Sequence, residues 1–200
     1  MMSTPRRAAT DDLPSLVDRL DRLESLAAIQ ALKARYGALA DAKYTADYAR
    51  VDAGTMRKVA WEQAQCFTDD AVWEAGEGFG ANRVGRDALF DWFQQSPWCF
   101  AVHYYGSPVI DVAGDTASGT WRLWQIAMAD DTREAVLLAA VTHESYARQA
   151  DGAWLHSRMR FEQLHMLPAG RGPAPLAATL AALASRRSAS PMTLESPPSC

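Results

Sequence analysis

Cysteine is scarce in this chain. Cys66, Cys99 and Cys200 are its only thiols, too few and too scattered for a disulfide framework or a thiolate metal site. Long hydrophobic runs are missing as well: no apolar stretch approaches the roughly 20 residues needed to span a bilayer. The stretch from Met1 to Arg7 carries two basic residues with no apolar core behind them, so it does not read as a secretory signal. Basic charge is not in excess either. Twenty Lys and Arg stand against 24 Asp and Glu, a formal net charge of −4, which argues against a nucleic-acid surface, because gripping a phosphate backbone needs a basic face. The glycine-rich segment Gly76–Gly80 fits no phosphate-binding fingerprint, and no Ser or Cys sits in a recognisable nucleophile elbow. Together these absences predict a reduced, cytoplasmic, single-domain protein that binds neither nucleic acid nor membrane.

What the chain does have is two hydrophobic periods in succession. Leu16, Leu20, Leu23, Leu26, Ile29, Leu32, Tyr36 and Leu39 recur at helical spacing with charged residues between them. They predict an amphipathic helix from Leu13 to about Ala40, open to a break near Ala27. A second helix is expected over Thr55–Cys66, capped by Thr55, and a third over Asp87–Gln95, ended by Pro97. Ala42–Gly54 reads as a polar loop or short helical turn, Phe67–Asp70 as a turn, and Ala71–Glu74 as the start of the strands. Beyond Pro97 the period becomes two. Phe100–Val112, Ala117–Met128, Val136–Arg148 and Trp154–Leu167 are strand candidates, separated by the turn signals Gly114-Asp115, Asp130-Asp131 and Asp151-Gly152. Helices first and a strand meander afterwards predict an α+β fold, a cone-shaped α+β barrel in which the N-terminal helices pack on a curved, mainly antiparallel sheet. Residues 1–11 are expected to be flexible, 12–168 to form the domain, and 169–200 to be a partly helical or disordered tail.

Two residues stand out chemically. Asp41 closes the first helix, and His103 sits in the aromatic run Trp98–Gly106. Where a fold brings such a pair together, the carboxylate holds the imidazole in one tautomer and the ring becomes a proton-abstracting base needing neither metal nor cofactor. An acid at a helix C-terminus also opposes the macrodipole, a placement that points to a functional reason. Tyr36 either belongs to the apolar stripe or faces the cavity, where a phenol suits protonation of a leaving oxygen. Five helical positions separate it from Asp41 by roughly 140°. Arg158 and Arg160 share one side of their strand, with Met159 and Phe161 on the other; the arginines either reach the cavity or stay in solvent. His143, His156 and His165 lack carboxylates at ligand spacing, so no metal site is expected. Trp73, Trp92, Trp98, Tyr104, Tyr105, Trp121, Trp124 and Trp154 are mostly core, and a cone lined by some of them suits a flat, hydrophobic aryl or polycyclic ligand.

Four stretches, Ala27–Tyr36 with Asp41 beyond it, Cys66–Trp73, Val102–Ile110 and Tyr146–Trp154, resemble the nuclear transport factor 2-like superfamily in its SnoaL-like branch. The similarity is to the group of scytalone dehydratase, bile-acid dehydratase and hexachlorocyclohexane dehydrochlorinase. What the resemblance implies is a cofactor-independent lyase with an Asp–His pair on Asp41 and His103, and with Tyr36 at the tyrosine position of the bile-acid enzymes. Where those enzymes carry a second functional Asp this chain has Gln125, and for a family Arg on the last strand Arg158 and Arg160 are the nearest candidates. Tyr104, Trp124 and Trp73 complete the expected substrate-binding set. The implied reaction is elimination of the dehydratase type, or retro-aldol loss of formaldehyde from a lignin-type diarylpropane. An isomerase or cyclase acting on a steroid or polyketide, or a non-catalytic ligand-binding module, is the alternative. A homo-oligomer is expected, a trimer ahead of a dimer.

Overall fold

Helix α1 (Leu13–Asp41) runs unbroken. Between Pro14 in its first turn, where proline is tolerated, and Gly37 near its end there is no helix breaker, and Ala27 and Ala28 are strong helix formers. The break near Ala27 therefore does not occur. Its two halves differ, however. Ile29, Leu32, Tyr36 and Ala40 are buried, whereas Leu13, Leu16, Val17, Leu20 and Leu23 of the same stripe are exposed. The computed structural model describes residues 13–76 and 80–171. The segment 1–11 expected to be flexible, and the tail beyond Arg171 with its expected helical part, lie outside the described residues.

Helix α2 (Ala53–Ala64) starts before the expected Thr55, because its cap is Asp52. That carboxylate accepts the Thr55 backbone N–H at 3.0 Å and the Thr55 hydroxyl at 2.6 Å, satisfying a donor that the helix cannot pair itself. Helix α3 (Arg86–Phe93) is the third.

The strands are β1 (Phe67–Glu74), β2 (Arg83–Val84), β3 (Trp98–Ala113), β4 (Thr116–Ala129), β5 (Glu134–Arg148) and β6 (Trp154–Arg171). They form one six-stranded sheet in the order β2-β1-β6-β5-β4-β3. Every neighbouring pair is antiparallel except β1 with β6, which is parallel. The sheet is mixed, curved and not closed, with β2 and β3 as its edges. Phe67–Asp70 is part of β1 rather than a turn. Phe67 and Thr68 are buried while Asp69 and Asp70 face outward beside a register shift, and such an irregularity accommodates acids that a regular strand disfavours. Two-residue β2 is too short to leave a periodic signal, and β6 continues to Arg171, into the expected tail. The hairpins turn where expected: Gly114 and Gly152 sit at φ of 61° and 87°, which a side chain would resist.

Helix α1 lies across β3 and β6, and beneath its middle is a buried polar cluster. The Lys33 ammonium pairs with the Glu144 carboxylate, which also accepts the Thr142 hydroxyl at 2.7 Å and the Tyr146 hydroxyl at 2.6 Å. Tyr146 in turn accepts the Trp121 indole N–H at 2.8 Å. His156 is wholly buried, with Nδ1 3.3 Å from the same carboxylate. Burial pushes the Glu144 carboxyl up, but Lys33, His156 and Tyr146 outweigh that and hold it below its ordinary value. Burial pulls His156 down to about 4, so its ring is neutral. All members of this cluster are buried.

Candidate active site

Strand alternation sorts the expected residues. Across β3 and β4, His103 pairs with Gln125 and Tyr104 with Trp124, and directly opposed residues share a face while neighbours along a strand do not. His103 and Gln125 therefore face inward, onto a cavity of about 100 Å³ that Tyr36, Trp73 and Tyr105 also line. Tyr104 and Trp124 face outward and are more than half exposed, so they do not line it. Neither do Arg158 and Arg160. Both are largely solvent-exposed on the outer face, where Arg158 binds Glu74 and Arg160 binds Glu162. Of the expected substrate-binding set, the structure brings Gln125 and Trp73 to the cavity and leaves the other four outside.

Asp41 stands behind His103 rather than in the cavity, in a groove between α1 and β3. Its Oδ1 lies 2.7 Å from His103 Nδ1 and accepts the His103 backbone N–H at 2.9 Å. With the ring proton on Nδ1, committed to Asp41, Nε2 is left as the lone-pair nitrogen of a ring that lines the cavity. The Tyr105 ring runs parallel to that of His103, 6.4 Å away and 6° off. The angular separation of Tyr36 from Asp41 is thus real. Tyr36 lines the cavity, whereas Asp41 lies in the groove behind His103.

Tyr36 is buried against Phe67, Phe93 and Tyr105. Burial, helped by the Glu144 charge, pushes its hydroxyl well above its ordinary value, which makes it a weak acid in this setting.

Two cavity residues had no signal in the sequence. Lys43, two positions beyond Asp41, is only 7% exposed and its Nζ lies 4.9 Å from the centre of the Phe93 ring. Burial alone brings its ammonium down to about 7. The loop that carries it is folded under by a bridge between Tyr44 and Arg50. Arg50 donates to the Trp98 and Ser96 carbonyls at 2.9 Å each, and the Tyr44 and Ser96 hydroxyls lie 2.5 Å apart. Gln63 of α2 is 2% exposed, lines the same cavity, and its Oε1 accepts no hydrogen bond.

Among the described residues no group of three or more His, Cys, Asp or Glu is placed to hold a metal ion. His143 instead lies 3.0 Å from Glu162 on the surface, and His165 is exposed. No described helix is long and apolar enough to cross a membrane.

Residues 54–160 match the family model of the SnoaL-like domain. No curated protein sequence matches the chain. Among solved structures, a type 2 hexachlorocyclohexane dehydrochlorinase (LinA) is 25% identical with a TM-score of 0.63, the alignment covering 79% of this chain and 98% of that one. The LinA-type3 dehydrochlorinase from Novosphingobium barchaimii LL02 is 24% identical with a TM-score of 0.62, over 78% of this chain and 99% of its own. A candidate scytalone dehydratase from Novosphingobium aromaticivorans DSM 12444 is 18% identical with a TM-score of 0.60, over 78% and 95%. At these last two identities the likeness is one of fold.

Proposed function

We propose that this chain, which belongs to the SnoaL-like domain family, is a cofactor-independent lyase of the dehydratase type acting on a hydrophobic ring substrate. The observation that carries the proposal is the 2.7 Å contact between Asp41 and His103 on the wall of a largely aromatic cavity. His103 Nε2 takes a proton from a ring carbon and a group leaves from the adjacent atom: a halide departs as the anion, and a hydroxyl departs as water once the His103 imidazolium returns the proton to its oxygen. Asp41 fixes the tautomer and stabilises the imidazolium that forms. The fold is shared with a hexachlorocyclohexane dehydrochlorinase, whose reaction by name is an elimination. A cavity of about 100 Å³ that opens to the surface takes a compact, single-ring compound more readily than a steroid or a two-ring diarylpropane.

The test is a panel of cyclic alcohols, β-hydroxy ketones and halides, followed by halide release or by the absorbance of the new double bond. His103→Gln should lower turnover by about 10²- to 10⁴-fold with the fold intact by circular dichroism. Undiminished turnover in a folded His103→Gln protein would remove the base. Deuterium uptake from solvent without loss of any group would make the protein an isomerase instead.

Assembly follows from the outer face. Tyr104, Val109, Trp124 and Ile126 are exposed on one side of β3 and β4, which supports a homo-oligomer, a trimer ahead of a dimer. A monomer in sedimentation at micromolar concentration would contradict it.

A further inference from the structure

Proton abstraction by His103 leaves two polar groups of the cavity without a task. The Lys43 amine is buried among aromatic side chains, and burial is the only influence on its charge that stands out. The nearest acid in sequence, Asp41, spends its carboxylate on His103. The Gln63 carbonyl oxygen is buried, lines the same cavity and accepts nothing. A buried amine that can carry its charge only without a counter-ion among the described residues, and a buried acceptor without a donor, are each unfavourable, and one ligand relieves both.

We propose that the cavity binds a hydroxyaryl compound as its oxyanion, with the Lys43 ammonium as counter-ion and the Gln63 oxygen as acceptor for a second hydroxyl. The proposal rests on the lyase reading only for where the substrate lies, and not on His103 being the base. Trp73, Trp92 and Phe93 supply flat apolar walls for the ring. A phenol that arrives protonated gives its proton to Lys43 where the amine is neutral, forming a new N–H, and to solvent where Lys43 is already an ammonium; both routes end in the same ion pair. The resulting ion pair lies in a low-dielectric site where attraction is strong. Besides His103, the titratable groups facing the cavity are the phenols of Tyr36, Tyr44 and Tyr105. Burial pushes all three upward, so they stay neutral and offer Lys43 no competing anion.

The probes are 4-nitrophenol, whose yellow phenolate reports its own ionisation, and 4-nitrocatechol, measured at a pH where the free dyes are chiefly protonated. The full chain should bind 4-nitrophenol with the phenolate band, and Lys43→Met should bind it at least about tenfold more weakly. His103→Gln should keep the phenolate band, which separates this proposal from the assignment of the base. Nitrocatechol should bind more tightly than nitrophenol, and Gln63→Leu should erase the difference. Should Lys43→Met fail to fold, 4-nitroanisole decides on the wild-type protein, since it has the same ring with no ionisable hydroxyl and should bind at least about tenfold more weakly than nitrophenol. Dye bound as the neutral phenol, no dye bound, equal binding by folded Lys43→Met, or equal binding of the anisole overturns the Lys43 assignment. Equal binding of the two dyes overturns that of Gln63.

Discussion

Lys33 and Lys43 are both buried, one inside α1 and the other just past its end, and the protein treats them in opposite ways. Lys33 has a carboxylate partner in Glu144 and sits 3.6 Å above the Tyr105 ring. The Glu144 oxygens are in turn met by Thr142 and Tyr146. Lys43 has an aromatic ring at 4.9 Å and a cavity in front of it. A buried charge whose partners are all supplied by the protein fixes one packing of helix on sheet. A buried amine whose partner is missing weakens the fold slightly and gains its partner only when something binds.

The sharpest way to break this comparison is to remove the supported lysine. Lys33→Met leaves Glu144 buried without its counter-charge and should cost about 3–5 kcal/mol in urea denaturation, part of which a Glu144→Gln change in the same chain recovers. If Lys33→Met alone is as stable as wild type, the cluster does not hold α1 to the sheet. The next effect is on pH. His156 has a folded value of about 4 against an ordinary 6.5, so between those values the unfolded chain binds a proton that the folded chain refuses. Stability is complete above about pH 6.5 and falls as pH drops toward 4, by about 3 kcal/mol in all. Denaturant midpoints at several pH values should show the slope, and His156→Phe should remove it.

A smaller loss is expected at Gly119, where a Cβ would lie 2.9 Å from the Tyr146 ring and 3.0 Å from its hydroxyl. Gly119→Ala should displace Tyr146 from Glu144 at about 1–3 kcal/mol, seen as a lower melting temperature. An unchanged melting temperature would mean that Tyr146 is free to move. The smallest effect belongs to the unsupported lysine. Lys43→Met should change stability by less than about 1 kcal/mol, if anything upward, because it removes a buried amine and keeps the bulk. A loss comparable to that of Lys33→Met would erase the distinction between the two residues.

Strands β3 to β6 were legible because burial alternates along much of their length, and because their turns carry the residues that tight turns need. Legibility failed where burial does not follow local pattern. The first half of α1 has a full apolar stripe but, among the described residues, nothing packed on it, and the β1 acids sit at an irregularity that lets them point outward. At the site, the meeting of Asp41 with His103 was expected from the family resemblance together with the chain order of helix and strand. The placement of Tyr104 in the cavity overlooked the alternation itself, since a residue adjacent to His103 along a strand cannot share its face, and Trp124 follows Tyr104 across the ladder. Lys43 could not have been found this way. Its burial is produced by Arg50 tying a polar loop onto Ser96 and Trp98, a contact between segments that no local periodicity encodes.

One oxygen of Asp41 holds both the His103 ring and the His103 backbone N–H, so the carboxylate is also a fastener between the end of a helix and an edge strand. Replacing it with alanine would leave a strand N–H unmet, at about 1–3 kcal/mol, whether or not the site still turned anything over. Replacing the imidazole carries no such backbone penalty. In a lineage that had abandoned the chemistry, selection for folding would go on preserving the aspartate while the histidine drifted. If that holds, the aspartate would mark the architecture and the histidine the chemistry, and a survey that sorted related chains by the acid alone would count retired members as working ones.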